Sequence, residues 1–179
     1  MSDAITETRN WIEKVVIGLN LCPFADRVFR AGRVDYRVCT ENSPASVIRA
    51  LAEALLQLHA ADRGATETSF LIFPHAAKSF EEFLDLTDTA EDLVAKMGLR
   101  GEIQVVGFHP NFQFEGTTPD AAENYTNRSP YPMLHLLREV SISELPMSQE
   151  ELGEIPRRNT ARLNALTPEE RRALFPVKH

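Results

Sequence analysis

"TSFLIFP", residues 68–74, decides the fold, because it is a continuous apolar run that a proline ends. Such a run predicts a strand that is buried on both faces, as in parallel sheets. A helical pattern stands on each side of it. Residues 43–60 begin with Ser43 as a capping residue, and residues 79–98 begin in the same way with Ser79. The sequence therefore predicts a buried strand between two amphipathic helices.

Two further strands extend this pattern. "VDYRVC", residues 34–39, alternates apolar and polar positions, and "EIQVVGFHP", residues 102–110, again ends in proline. Strand, helix, strand, helix and strand in succession predict two crossover connections. The expected fold class is α/β (or α+β), with a small, mostly parallel sheet of β-α-β-α-β order. Helices cover this sheet, and residues 3–19 form an N-terminal helix.

The remaining segments complete a single domain. Residues 110–128 lack periodicity and predict a long loop, which in a compact domain is usually functional or mobile. "YPMLHLLREV", residues 131–140, is interpreted as a helix with Tyr131, His135 and Arg138 on one face. We expect one α/β domain over residues 1–145 and a helical C-terminal extension, residues 146–179, packing on it.

Composition limits the function. A formal net charge of −7 argues against general affinity for nucleic acid or anionic membranes. No segment has the apolar length of a membrane span, and the polar, acidic N-terminus is unlike a secretory signal. These features predict a cytoplasmic protein in which Cys22 and Cys39 are free thiols.

The candidate site begins at the carboxyl ends of the predicted strands, where open parallel sheets bind ligands. His75 follows one strand and His109 follows the next, so both are expected at one edge of the sheet. Histidines at strand ends are also commonly exposed and hydrogen-bonded to loops. Both interpretations stay open at this level.

A second group of candidates precedes the predicted helix. Asn127, Arg128 and Ser129 could hold a carboxylate or phosphate at a helix start, where unpaired N–H groups and a partial positive charge collect. Tyr131 and Arg138 could add ligand contacts on the same side. Alternatively, Ser129 caps the helix, Asn127 closes a turn and Arg128 pairs with an acidic neighbour.

Cysteine chemistry and metal binding are two further possibilities. Cys22 could serve as a nucleophile with a histidine base, although a small buried side chain is the more usual role of a cysteine in such a place. Three histidines with Cys22 or Asp120 could also form a metal shell, but no HxH, HExxH or CxxC spacing supports it. We therefore assign no metal ligands, and the sequence identifies no cofactor.

Three runs carry a resemblance to a known family: "GLNLCPFA", "FHPNFQFEG" and "NYTNRSPYPMLHLLRE". Together they resemble a bacterial family of unassigned function, the domain of unknown function DUF1415, over residues 11–139. The resemblance implies no catalytic roles. It does direct attention to the residues inside those runs, namely Cys22, His109, Asn127, Arg128 and His135.

These observations support two kinds of function. The first is a small enzyme, or an enzyme-like pocket, for a compact anionic metabolite, with His109, His135 and Cys22 as catalytic candidates and Arg128 positioning the anion. The alternative is a non-catalytic module that binds metal, haem or another ligand, or one that binds a protein partner. The sequence leaves the oligomeric state open.

Overall fold

The computed structural model describes residues 2–175, and within them four strands form one mixed sheet. The strands are β1 (Val34–Val38), β2 (Thr68–Ile72), β3 (Ile103–Phe108) and β4 (Met133–Arg138), and their order across the sheet is β1-β2-β4-β3. β1 and β2 are parallel, whereas β4 runs antiparallel to both of its neighbours. The sheet is therefore only partly parallel, and the predicted mostly parallel sheet is wrong.

The error arises from β4, which was predicted to be a helix. A short apolar run fits a buried strand or a buried helix equally well, and Pro130 and Pro132 favoured a helix start. In the structure this run lies between β2 and β3 and pairs with both, so its peptide groups have ladder partners on each side. Alternation along a strand also separates His135 from Arg138, which lie on opposite faces of the sheet.

The other predicted elements are present. The N-terminal helix, α1, continues directly into a π-helix, and Ser43 and Ser79 accept hydrogen bonds from Ser46 and Glu82 amides at the starts of the two long helices. A short helix after Cys22 was not predicted. The helices are α1 (Ser2–Trp11), a π-helix (Ile12–Ile17), α2 (Ala25–Arg30), α3 (Pro44–Ala60), α4 (Phe80–Lys96), a 3-10 helix (Ala122–Asn127), α5 (Glu139–Ser143), α6 (Gln149–Gly153), α7 (Ile155–Asn164) and α8 (Pro168–Leu174).

A layer of helices covers each face of the sheet. On one face, α3 and α4 pack against alternate strand residues such as Leu71 and Leu136, and Phe83 of α4 is fully buried there. On the other face, α1 and the π-helix pack against Phe70 and Met133. Each face removes apolar side chains from water, which is the main stabilising contribution to such a fold.

The C-terminal helices reach the second face. Leu163 of α7 is fully buried in the same cluster as Phe70, and the Asn159 side chain donates a hydrogen bond of 2.7 Å to the Leu21 carbonyl. Residues 176–179 of the predicted extension lie outside the described residues. None of the helices within residues 2–175 combines the length and the apolar character needed to cross a membrane.

Candidate functional site

A cavity of about 190 Å³ lies between the sheet and the N-terminal helical layer, and we call it the His135 cavity. Strand alternation builds its floor, because Thr68 and Phe70 of β2, Phe108 of β3 and His135 of β4 all point to this face. The end of α1, the π-helix, α2 and the turn before α2 provide the wall opposite the sheet. Five aromatic rings line it: Trp11, Phe24, Phe29, Phe70 and Phe108.

His135 is the principal polar group of the cavity. The Thr68 hydroxyl donates its only hydrogen to the Leu136 carbonyl at 2.6 Å, so it must accept a hydrogen bond from His135 Nε2 at 2.7 Å. This arrangement fixes the Nε2–H tautomer. The Nδ1 atom therefore carries a lone pair, and no described residue donates a hydrogen bond to it. The cavity contains a hydrogen-bond acceptor without a protein partner.

The surroundings keep the imidazole uncharged. The His135 ring stacks on Phe70, its cross-strand neighbour, with ring centroids 4.0 Å apart and planes only 4° from parallel. Burial of the ring lowers the pKa of His135 to about 3, because an imidazolium ion would lose its hydration without gaining a carboxylate partner. At neutral pH His135 is therefore a neutral acceptor.

Cys22 lines the same cavity and is a free thiol. It lies just before α2, and burial raises the pKa of its thiol, although the backbone amides of Phe24 and Ala25 oppose this shift. The thiol is protonated at neutral pH and is a poor nucleophile in that form. Cys39, also a free thiol, lies in the core on the other face of the sheet.

The structure does not bring His109 to this cavity. The His109 ring packs against Phe80 and Phe83 of α4, on the opposite face of the sheet, and the residue is fully buried. Its Nδ1 accepts a hydrogen bond from the Asn111 amide, and Nε2 faces the carbonyls of Ala77 and Lys78. Both ring nitrogens are thus engaged by backbone. His75 lies at the same sheet edge but is exposed.

The candidate anion ligands fasten the long loop. The Asn127 side chain donates to the Gly107 carbonyl at 3.0 Å, and the Arg128 guanidinium donates to the Phe112 and Pro119 carbonyls. Ser129 donates its hydroxyl hydrogen to the Tyr131 carbonyl at 2.6 Å. Since β4 is a strand, no helix start lies behind these residues to attract an anion.

Arg138 also binds backbone carbonyls and stabilises the fold. Its guanidinium donates hydrogen bonds to the carbonyls of Leu58, Ala61 and Thr66. Leu58 lies in the last turn of α3, and Ala61 is the residue after the helix. A cation suits that position, because the last carbonyls of a helix lack intrahelical partners. Tyr131 is partly buried and packs against the apolar cluster that contains Phe70. Neither residue lines the His135 cavity.

A metal site finds no support in the described part of the chain. Within residues 2–175, no three His, Cys, Asp or Glu side chains come close enough together to hold a metal ion. His75, His109 and His135 have the three separate environments given above. Asp120, on the long loop, completes no such group.

Most of the cavity residues were missed at the level of sequence. Thr68, Phe70 and Phe108 were assigned to strands, but nothing distinguished them from ordinary core residues. The missing signal was the strand periodicity of residues 133–138. Assigning that run to a strand would have placed His135 on one face with alternate residues of its neighbours.

The fold and the site define a class of protein: a mixed α/β domain with an apolar, histidine-containing cavity beneath its N-terminal helical layer. The chain belongs to the protein family of unknown function DUF1415, whose sequence model matches residues 3–173. The match confirms the resemblance and extends it through α7 and most of α8. No curated protein and no solved structure matches the chain.

Proposed function

We propose that this protein binds a compact, mainly apolar small molecule in the His135 cavity. The observation that carries the proposal is the unpartnered Nδ1 of His135, an acceptor held among aromatic and aliphatic walls. Nδ1 accepts no hydrogen bond from the described residues, and a ligand with an N–H or O–H group could supply one. A cytoplasmic location, where Cys22 stays reduced, is part of the proposal.

The size of the His135 cavity and the neutral state of His135 support ligand binding rather than acid–base catalysis. Cavities of about 150 Å³ hold benzene, so a cavity of about 190 Å³ has room for one substituted ring. A general base works best with a pKa near the working pH, whereas burial lowers the pKa of His135 to about 3. The two titratable groups on the wall, His135 and Cys22, are suited to remain neutral while a ligand is bound.

Filling the cavity tests this proposal. Ala25 lines the cavity at the start of α2, and Ala25→Leu would place three more carbon atoms in or beside it. We expect calorimetric titration to show toluene and phenol binding to the wild type, with roughly tenfold or greater loss in Ala25→Leu because the probe and the leucine compete for space. Ala161→Leu, at an exposed helical position, is the matched control and should bind both probes normally.

Two outcomes would contradict the proposal. The first is that the wild type binds neither toluene nor phenol in the millimolar range. The second is that Ala25→Leu binds both as well as the control does while keeping the native circular dichroism spectrum.

A second candidate function is the binding of a compact anion in a pocket other than the His135 cavity. A pocket of about 220 Å³ beside α1 is lined by Lys14 and Arg128, and neither cation has an ion-pair partner among the described residues. Glu7 lines the same pocket and weakens its attraction for an anion. His109 and His135 do not line it, so this candidate would bind an anion without the two histidines.

Charge reversal at Lys14 tests the second candidate. Lys14 is exposed, so Lys14→Glu should leave the fold intact, with Lys96→Glu on α4 as an exposed control. If the pocket binds anions, NMR titration with inorganic phosphate at low ionic strength should show shifts around Arg128 that Lys14→Glu abolishes. Equal shifts in both variants would assign phosphate binding to another place and remove this candidate.

A further inference from the structure

We infer that the free edge of β1 is an interface between two copies of this chain. β1 of one copy pairs antiparallel with β1 of the second across a two-fold axis, with Tyr36 opposite its own counterpart. The two sheets then form one continuous sheet. The inference is independent of ligand binding in the His135 cavity. We call this surface the β1 edge, and its outward-facing residues are Val34, Tyr36 and Val38.

The β1 edge carries main-chain groups without partners. On the inner side of β1, the Thr68 N–H donates a hydrogen bond to the Arg33 carbonyl. At the other end of the strand, the Cys39 N–H donates to the Ile72 carbonyl. The odd-numbered residues of β1 therefore pair with β2, and the even-numbered residues direct their N–H and C=O groups away from the sheet. No group among the described residues forms a hydrogen bond with these outward groups.

The opposite edge of the sheet, formed by β3, is partly closed. There the Ile103 N–H donates a hydrogen bond to the Leu99 carbonyl at 3.0 Å. The Asn127 side chain donates to the Gly107 carbonyl, also at 3.0 Å. β1 has no such cover, and each of its five residues is partly exposed. An uncovered edge strand is a template for pairing with another chain.

The charges of β1 select a second copy as the partner and fix its register. Asp35 and Arg37 lie on the same face of the strand, paired at 2.6 Å, and each side chain is 32% exposed. With Tyr36 opposite its own counterpart, Asp35 of each copy lies directly opposite Arg37 of the other. Moving the axis by one residue in either direction places Asp35 opposite Asp35 or Arg37 opposite Arg37. Since like charges directly opposite are destabilising, the pattern favours the register centred on Tyr36.

The other face of β1 is apolar and fits the same register. Val34, Tyr36 and Val38 pack against the apolar cluster that contains Phe70, and the Tyr36 ring stacks on Phe70 with centroids 6.0 Å apart. In the dimer, Val34 of each copy lies opposite Val38 of the other, and the two Tyr36 side chains are neighbours. Pairing therefore removes the remaining exposed apolar surface of the strand from water. Both faces are self-complementary, as a two-fold interface requires.

Sedimentation velocity over a range of protein concentrations tests the inference. The interface is small, so we expect the wild type to form a reversible dimer with a dissociation constant on the order of 100 μM. Arg37→Asp places like charges opposite each other at both crossings, and we expect it to weaken the dimer by roughly tenfold or more. Arg100→Asp makes the same change of charge at an exposed position before β3, so it is the matched control and should dimerise normally.

A mixture of two variants tests the register directly. Asp35→Arg alone also places like charges opposite each other in a pair of identical chains. Mixed in equal amounts with Arg37→Asp, it meets opposite charges at both crossings. We expect the mixture to form a heterodimer at concentrations at which each variant alone is a monomer. Damage to the fold of either variant cannot produce this rescue.

Amide hydrogen exchange measured by NMR locates the interface on the wild type. The Tyr36 and Val38 amides should exchange more slowly as the protein concentration rises, because the second copy supplies their hydrogen-bond acceptors. The Val105 amide faces outward from β3 and should exchange at the same rate at every concentration.

Three results would overturn the inference. The first is a wild type that stays monomeric at about 1 mM, well above the expected dissociation constant. The second is a dimer in which exchange of the Tyr36 amide does not depend on concentration. The third is a mixture of Asp35→Arg and Arg37→Asp that stays monomeric although both variants keep the native circular dichroism spectrum. If a variant does not fold, the exchange measurement on the wild type decides.

Discussion

Replacing Glu67 by alanine is expected to lower the free energy of unfolding by about 3 kcal/mol, because the change leaves charges without a partner in a packed region. Glu67 is only 1% exposed, directly before β2, and its carboxylate pairs with Arg33 at 2.9 Å and with Arg63 at 3.0 Å. The Ser141 hydroxyl donates a third hydrogen bond to it. Both arginines keep some contact with water, so the loss should fall at the lower end for buried pairs.

A matched variant separates burial from charge. Glu144→Ala removes another carboxylate that pairs with Arg63, at 2.8 Å, but its side chain is 56% exposed. We expect a much smaller loss for that variant, because exposed ion pairs contribute little to stability. Urea denaturation monitored by circular dichroism measures both changes. Equal losses in the two variants would mean that burial of Glu67 adds nothing to its contribution.

The Glu67 carboxylate also makes the stability of the folded protein depend on pH. Burial alone would raise the pKa of Glu67. The hydrogen bonds from Ser141 and Arg63 lower it and together outweigh burial, so the net shift of the pKa is downward from 4.5. A group with a lowered pKa in the folded state stabilises the protein above its unfolded pKa. This contribution is lost as the pH falls below about 4.5, where the unfolded chain takes up the proton first.

Most of the fold could be predicted from local sequence signals. Ser43 and Ser79 cap their helices, and "TSFLIFP" contains a fully buried strand, because capping residues, apolar periodicity and terminating prolines act within a few residues of chain. β4 could not be predicted in this way. Its conformation depends on pairing with β2 and β3, and neither partner is close to it in the chain.

The candidate site depended on the same long-range pairing. Cys22 and His135 line the His135 cavity, whereas His109 and Arg128 do not. The face on which His135 emerges depends on the parity of its position in β4, and that position is set by pairing with β2 and β3. The hydrogen bonds of Arg128 and Asn127 to distant carbonyls are also set by the folded loop. The residue types identified side chains that can bind ligands or transfer protons, but they could not show which of these side chains line the same cavity.

The stability of the protein should fall by roughly 2 kcal/mol between pH 7 and pH 4.5 through His135 alone. Burial lowers the pKa of this imidazole from 6.5 to about 3. Between pH 6.5 and about pH 3, His135 is protonated in the unfolded chain but not in the folded protein. Each unit by which the pH falls in this range therefore favours unfolding by up to about 1.4 kcal/mol. The effect fades as the pH rises above 6.5, because His135 then becomes neutral in the unfolded chain as well.

His135→Phe is the variant that isolates this contribution. A phenyl ring can stack on Phe70 as the imidazole does, and the Thr68 hydroxyl keeps its hydrogen bond to the Leu136 carbonyl. At pH 7 we therefore expect the variant to be nearly as stable as the wild type, and at pH 4.5 to exceed it by roughly 2 kcal/mol. Urea denaturation at both pH values measures the difference. A constant difference at the two pH values would show that the folded protein accepts the proton at His135, and the neutral acceptor on which the proposed ligand site depends would then be lost in mild acid.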